Sequence, residues 1–196
     1  MDAILRADTA IALWLNHWVG HFPPLDAVMK VFISDYFTPT VLSLCLLGMW
    51  FTGKDAVERG KNQRTVIIAM AAMGFANLAV LIINQHFFRL RPFAEHEMML
   101  LFYEPTDSSF PANPAAVAFA MATGVWLRSH KMALVFALFG VLWAFGRVYA
   151  GVFYPLDVLG GAAIGVVIAT LVTIAMRLIE PIPTWVLRAF AYFHLA

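Results

Sequence analysis

The sequence predicts an all-α, polytopic membrane helix bundle, and three observations carry that prediction. The 196-residue chain is 62% hydrophobic and only 13% charged, whereas soluble domains run at roughly half and a quarter. Its mean hydropathy is +0.78. The apolar residues lie in long runs, and about 20 such residues cross a bilayer core as a helix. Leu, Val, Ile, Ala and Met fill these runs without sustained alternation, which favours helices over membrane-barrel strands. A net charge of +1 gives no reason to expect a nucleic-acid partner.

A single membrane domain is expected over residues 1–196. In residues 1–23, Ile4, Ile11, Leu15 and Trp18 share a helical face, while Asp2, Arg6, Asp8, Asn16 and His17 interrupt any clean span. The expectation is an interfacial helix, ended by Pro23-Pro24; if it inserts, five spans become six. The bundle, residues 24–179, contains apolar stretches at 25–51, 65–88, 111–127, 132–148 and 156–179. The first begins with Asp26, Lys30, Ser34 and Asp35, so that end should reach headgroups or water. The third and fourth are short and need flanking residues to snorkel. Cys45, the one cysteine, reads as a buried structural thiol. Gly161-Ala162-Ala163-Ile164-Gly165 lets another helix approach closely, either within the chain or from a homo-oligomer or membrane-protein partner. Pro181 and Pro183 stop the last span, and residues 180–196 are expected to form a cytoplasmic amphipathic tail.

If five spans alternate, Lys54, Arg59, Lys61, Arg64, Arg128, Lys131, Arg177 and Arg188 share one side. Arg6, Lys30, Arg89, Arg91 and Arg147 share the other. The richer side is expected to be cytoplasmic, with Trp50, Trp126 and Trp185 as anchors near it. Residues 89–110 and 147–155 then face outward.

Three segments reach that outer boundary: residues 84–93 (Asn-Gln-His-Phe-Phe-Arg-Leu-Arg-Pro-Phe), 108–116 (Ser-Ser-Phe-Pro-Ala-Asn-Pro-Ala-Ala) and 146–157. An arginine at membrane depth costs about 2.5–3.5 kcal/mol on insertion scales, so it usually has a partner or a task. Arg91 and Arg147 together suit a phosphate group, which guanidinium binds by bidentate, charge-assisted hydrogen bonds. Arg89 is a further candidate. Alternatively, Arg147 pairs with Asp157 across the turn. Asn84 either bonds across helices or touches the phosphate, and Asn113 lies beside it in the candidate set.

These segments resemble the three signatures of the type 2 phosphatidic acid phosphatase superfamily, in order and spacing. The first, Lys, six residues, Arg-Pro, is here Asn84, six residues, Arg91-Pro92. The second, Pro-Ser-Gly-His, is here Pro111-Ala112-Asn113-Pro114. The third, Ser-Arg, five residues, His, three residues, Asp, is here Gly146-Arg147, then Phe153, then Asp157. Phe-Pro-x-Asn and Tyr-Ala-Gly-Val-x-Tyr-Pro-Leu-Asp are most similar to the bacterial undecaprenyl-diphosphatase branch. The resemblance covers residues 24 to about 177. It implies a bacterial inner-membrane, multi-pass protein with its site facing outward, lipid phosphate (a polyprenyl phosphate) and membrane lipids as partners, and no cofactor.

The resemblance also implies lost chemistry. In the family the third-signature His attacks phosphorus, its Asp orients that His, and the second-signature His protonates the leaving oxygen. No catalytic set is intact at Ala112, Pro114, Phe153 and Asp157. A phenyl ring has no lone pair for phosphorus, and Pro114 has no proton to give. Phosphate-ester hydrolysis needs acceleration up to about 10²¹-fold, which positioning alone does not supply. His86 or His96 is a conceivable substitute; their spacing is not diagnostic of a metal site. The expectation is a pseudo-enzyme that binds a lipid phosphate for transport, presentation or sensing. The alternatives are an active or inactivated lipid phosphatase and a structural membrane subunit.

Overall fold

The computed structural model describes residues 2–101 and 103–180. Its helices are α1 (Asp2–His17), α2 (Pro23–Ile33), α3 (Phe37–Phe51), α4 (Ala56–His86), α5 (Pro92–Glu95), α6 (Asn113–Trp126), α7 (His130–Tyr149) and α8 (Pro155–Leu178). The described residues contain no strand. Apart from Glu180, the expected tail, with Trp185 and Arg188, lies outside them.

Helices α4, α7 and α8 are each long and apolar enough to cross a membrane, and α2 with α3 forms a fourth candidate crossing bent by 55°. The sequence predicts one continuous span over residues 25–51; the structure breaks it at residues 34–36, where Asp35 leaves the helix to pair with Arg147. Proline occupies the first turn of α2, α6 and α8, where its missing N–H would have had no helical partner. Asp55 caps α4 by accepting from the Glu58 N–H at 2.7 Å, and Ser129 caps α7.

The axis of the bundle is α6. At 14 residues it is about 21 Å long, well short of a bilayer core of about 30 Å. It is buried among α4, α7 and α8, and nine of its residues are buried, most of them alanine. Small residues on the neighbours permit this closeness. A Cβ on Gly161 would overlap the Ala112 carbonyl, and one on Gly165 the Ala116 carbonyl. Gly124 meets Ala69 of α4, and Gly140 meets Ala118. The small-residue face of α8 is therefore occupied within the chain.

Residues 108–112 lead into α6 without helical structure yet are largely buried. Backbone at such depth must find partners inside the protein. The Ser109 N–H donates to the Arg89 carbonyl (2.9 Å) and the Ala112 N–H to the Asp157 carbonyl (3.0 Å). The Ser108 hydroxyl lies within bonding distance of the Phe87 and Phe110 carbonyls.

Helix α1 is inverted relative to a soluble amphipathic helix. Its buried residues are Asp8, Ala12 and Asn16, four apart and so on one face, while Ile4, Leu5, Ile11, Trp14 and Trp18 are exposed. The polar stripe docks on the bundle: Asn16 Nδ2 donates to the Met99 and Tyr149 carbonyls, and its Oδ1 accepts from the Met99 N–H. At the far end, Arg128 joins α6 to α4 through Asn62 (2.7 Å) and Glu58 (3.1 Å).

Helix α6 tolerates no bulk at its contacts. Gly161→Leu should destabilise the protein by about 3 kcal/mol or more, the upper range of overpacking. Gly74→Leu, on a face with open space around it, should leave stability nearly unchanged. Unfolding midpoints of the two variants in the same detergent compare them directly.

Candidate functional site

The ends of α4, α6, α7 and α8 meet where the three signature segments converge, and the bend between α2 and α3 joins them. Gly146 is where α2 reaches α7, since a Cβ there would strike Ile33. After α7, Gly151 adopts φ +78°, the left-handed conformation that ends helices. That turn carries Val152, Phe153 and Tyr154 into the interior, where all are buried.

Arg89 bridges two buried carboxylates. Nη1 donates to Asp157 Oδ1 at 2.5 Å and Nη2 to Asp8 Oδ2 at 2.8 Å; the side chains of Asp157 and Asp8 are 0% and 1% exposed. Asp157 also accepts from the Ser109 hydroxyl and, at 2.9 Å, from the Tyr154 N–H. Asp8 also accepts from the Leu156 N–H at 2.8 Å. The guanidinium lies 4.1 Å from the centre of the Tyr154 ring. Burial opposes the Arg89 charge, but Asp8 and Asp157 outweigh it and raise its pKa above the ordinary arginine value. Burial and a 2.7 Å hydrogen bond to Glu95 push the Tyr154 phenol up, so it stays a donor. The alternative pairing of Arg147 with Asp157 is thus corrected: Asp157 belongs to Arg89.

Arg91 and Arg147 have partners of a different kind. Arg91 donates to Asp107 through Nη2 (2.8 Å) and to the Asp107 and Val152 carbonyls (3.0 and 3.1 Å). Arg147 pairs with Asp35. Both guanidinium side chains are buried, but Asp107 is 62% and Asp35 41% exposed. Tyr103 also bonds Asp35; burial and that charge raise its pKa.

Phe153, at the position of the expected nucleophile, lies beneath Arg91, with the guanidinium carbon 4.4 Å from the ring centre. Ala112 and Phe153 belong to one apolar cluster with Ala115, Ala144, Val148 and Val152. Pro114 is buried in the first turn of α6. Asn84 Oδ1 and Asn113 Oδ1 are buried without a hydrogen-bond partner, an arrangement that costs about 1–3 kcal/mol per group unless a guest supplies one. His86 is exposed, with Nδ1 2.9 Å from the Ile82 carbonyl of its own helix. His96 lines a separate groove with Glu95, Glu97 and Glu104. No group of three metal-ligating side chains occurs among the described residues.

Sequence reasoning left Asp8, Ser109 and Tyr154 without roles and treated Asp35 only as a polar interruption. The signal for Asp8 was the spacing of Asp8, Ala12 and Asn16, a polar stripe with no water to face.

Removing Arg89 would leave two buried carboxylates unpaired. Arg89→Met should cost about 3–5 kcal/mol, the usual loss when one partner of a buried pair is deleted. Adding Asp8→Asn and Asp157→Asn should recover much of it, which denaturant unfolding of the single and triple variants would measure.

Known proteins share this architecture. Residues 65–180 match the model of the PAP2 superfamily. The chain is 29% identical over 171 residues to undecaprenyl-diphosphatase BcrC of Bacillus subtilis (strain 168), covering 87% of this chain and 84% of that one. It is 32% identical over 160 residues to the putative undecaprenyl-diphosphatase YbjG of Escherichia coli (strain K12), covering 78% and 77%. The crystal structure of a PAP2-type phosphatidylglycerolphosphate phosphatase from Bacillus subtilis superposes with a TM-score of 0.65 at 24% identity, covering 92% of this chain and 90% of that one. Aquifex aeolicus LpxE gives a TM-score of 0.65 at 25% identity, covering 84% and 93%. With the signatures in order and the same helical fold around them, this membrane protein belongs to the PAP2 superfamily.

Proposed function

We propose that this chain binds a lipid phosphate, of the polyprenyl class, at an outward-facing site formed by Arg91 and Arg147, and that it no longer hydrolyses it. The observation that carries this reading is Phe153: an apolar ring packed beneath a buried arginine stands where a nucleophile is required. Two polar groups beside it are already engaged. Ser109 is fully buried and donates to Asp157. Asp157, which would orient an imidazole, holds Arg89 instead.

The binding half of the reading rests on the contrast between the arginines. Asp8 and Asp157 are sealed from water, so Arg89 is structural. Asp35 and Asp107 remain hydrated, so water can solvate either carboxylate when it leaves its arginine. A phosphate brings more charge and more acceptor oxygens and can replace them. Asn84 and Asn113 add polar groups without partners, and an amide turned over presents its NH2 in the same place. The names of the relatives favour a second reading, a diphosphatase with a relocated base; His86 and His96 are its candidates. Either role, presenting or transporting a lipid, suits a membrane protein with the site at one end of its bundle.

Native mass spectrometry with undecaprenyl phosphate and undecaprenyl diphosphate separates the readings. Intact lipid should remain bound, and Arg147→Ala or Arg91→Ala should weaken binding by about ten-fold or more, the equivalent of 1.4 kcal/mol. Loss of phosphate mass over time, abolished by His86→Ala or His96→Ala, would replace binding with catalysis. Phe153→His alone should restore no phosphate release, because Asp157 is engaged and Pro114 still cannot protonate a leaving group.

A further inference from the structure

A large cavity lies away from the signature segments. It is an apolar groove of about 740 Å³ between α3 and α4, within the size range of lipid and cofactor sites. Leu44, Leu47 and Phe51 from α3 and Met70 from α4 line it and are exposed on the bundle surface, so it opens sideways toward lipid. Trp50 and Phe51 lie at one end. At the other end stands Asp35.

Asp35 faces two ways. It lines the groove and also closes over Arg147, whose side chain is only 4% exposed. Asp35 therefore links the groove to a buried cation, and its carboxylate, which Tyr103 also bonds, is 41% exposed. Its position at the break between α2 and α3, next to the Gly146–Ile33 contact, fixes this geometry. A second apolar groove, lined by Leu15, Val141, Phe145 and Leu159, has no charged residue in its lining and so no link to an arginine.

We propose that the α3–α4 groove holds the hydrocarbon chain of a long-chain lipid phosphate, and that Asp35 is the displaceable carboxylate through which its phosphate reaches Arg147. This rests on the lipid-phosphate reading above and adds to it where the chain lies and how the headgroup enters. Charge complementarity selects the occupant: an uncharged lipid gains nothing from Arg147, and a protein helix would leave the guanidinium covered. The headgroup exchanges one anion for another, so the buried cation is never left bare.

The test uses the full chain in detergent with undecaprenyl phosphate carrying a photoreactive group on its chain. Labelling should fall on α3 and α4, at Leu44, Leu47 or Met70, and should exceed labelling by the matching polyprenol. Leu47→Trp, which narrows the groove at a lipid-facing position, should weaken undecaprenyl phosphate about ten-fold and leave geranyl phosphate unchanged. Asp35→Asn should strengthen both. Labelling at Val141 or Leu159, equal labelling by polyprenol, or indifference to Leu47→Trp overturns the groove. If geranyl phosphate still binds through Arg147 in those cases, the lipid-phosphate reading stands without it. If neither phosphate binds, both readings fall.

Discussion

Arg89 holding Asp8 and Asp157 is the interaction on which the rest of the structure depends. Two carboxylates withdrawn from water need donors in number, and they have them: Asp157 takes Arg89, Ser109 and the Tyr154 N–H, and Asp8 takes Arg89 and the Leu156 N–H. The donors come from the linker after α4, the lead-in to α6 and the start of α8, and Asp8 itself comes from α1. One charged cluster therefore ties α1 to three of the segments that surround the site. It also explains why α1 shows its apolar side outward, since its polar stripe has an internal use.

The same cluster divides the arginines by the hydration of their partners. A guanidinium between two sealed carboxylates has no exchange open to it, because any competing anion would strand both. Arg91 and Arg147 are more deeply buried than Arg89, yet each is held by a carboxylate that still touches water. An anion arriving there would replace a hydrated carboxylate and not a sealed one.

Much of the fold was legible in the sequence because burial in a membrane writes itself as long apolar runs. The five apolar stretches correspond to α2 with α3, α4, α6, α7 and α8, and the small-residue run in α8 marked a close helix contact. The bend at residues 34–36 was not legible, since the partner that Asp35 meets there, Arg147, is 112 positions away. Spacing placed Arg91, Arg147, Phe153 and Asp157 near one another, but it carries no information about which acid meets which base. Asp8 in particular lies 149 positions from Asp157 (157 − 8 = 149), outside any local pattern.

The departures from the family signatures are not damage to the fold; they suit it. Proline at position 114 sits in the first turn of α6, where its fixed φ and absent N–H are compatible with a helix start. Ala112 is buried and its methyl joins the apolar cluster with Ala115 and Phe153, where a hydroxyl would need a partner. Phe153 fills space beneath Arg91 and joins the apolar cluster between α6 and α7. An imidazole in that place would meet an Asp157 already saturated by donors, and would sit beside a cation that disfavours its protonation. Sequence signature and architecture separate at these positions: the arginines of the signatures remain buried beside carboxylates, and Ala112, Pro114 and Phe153 are packed into the interior.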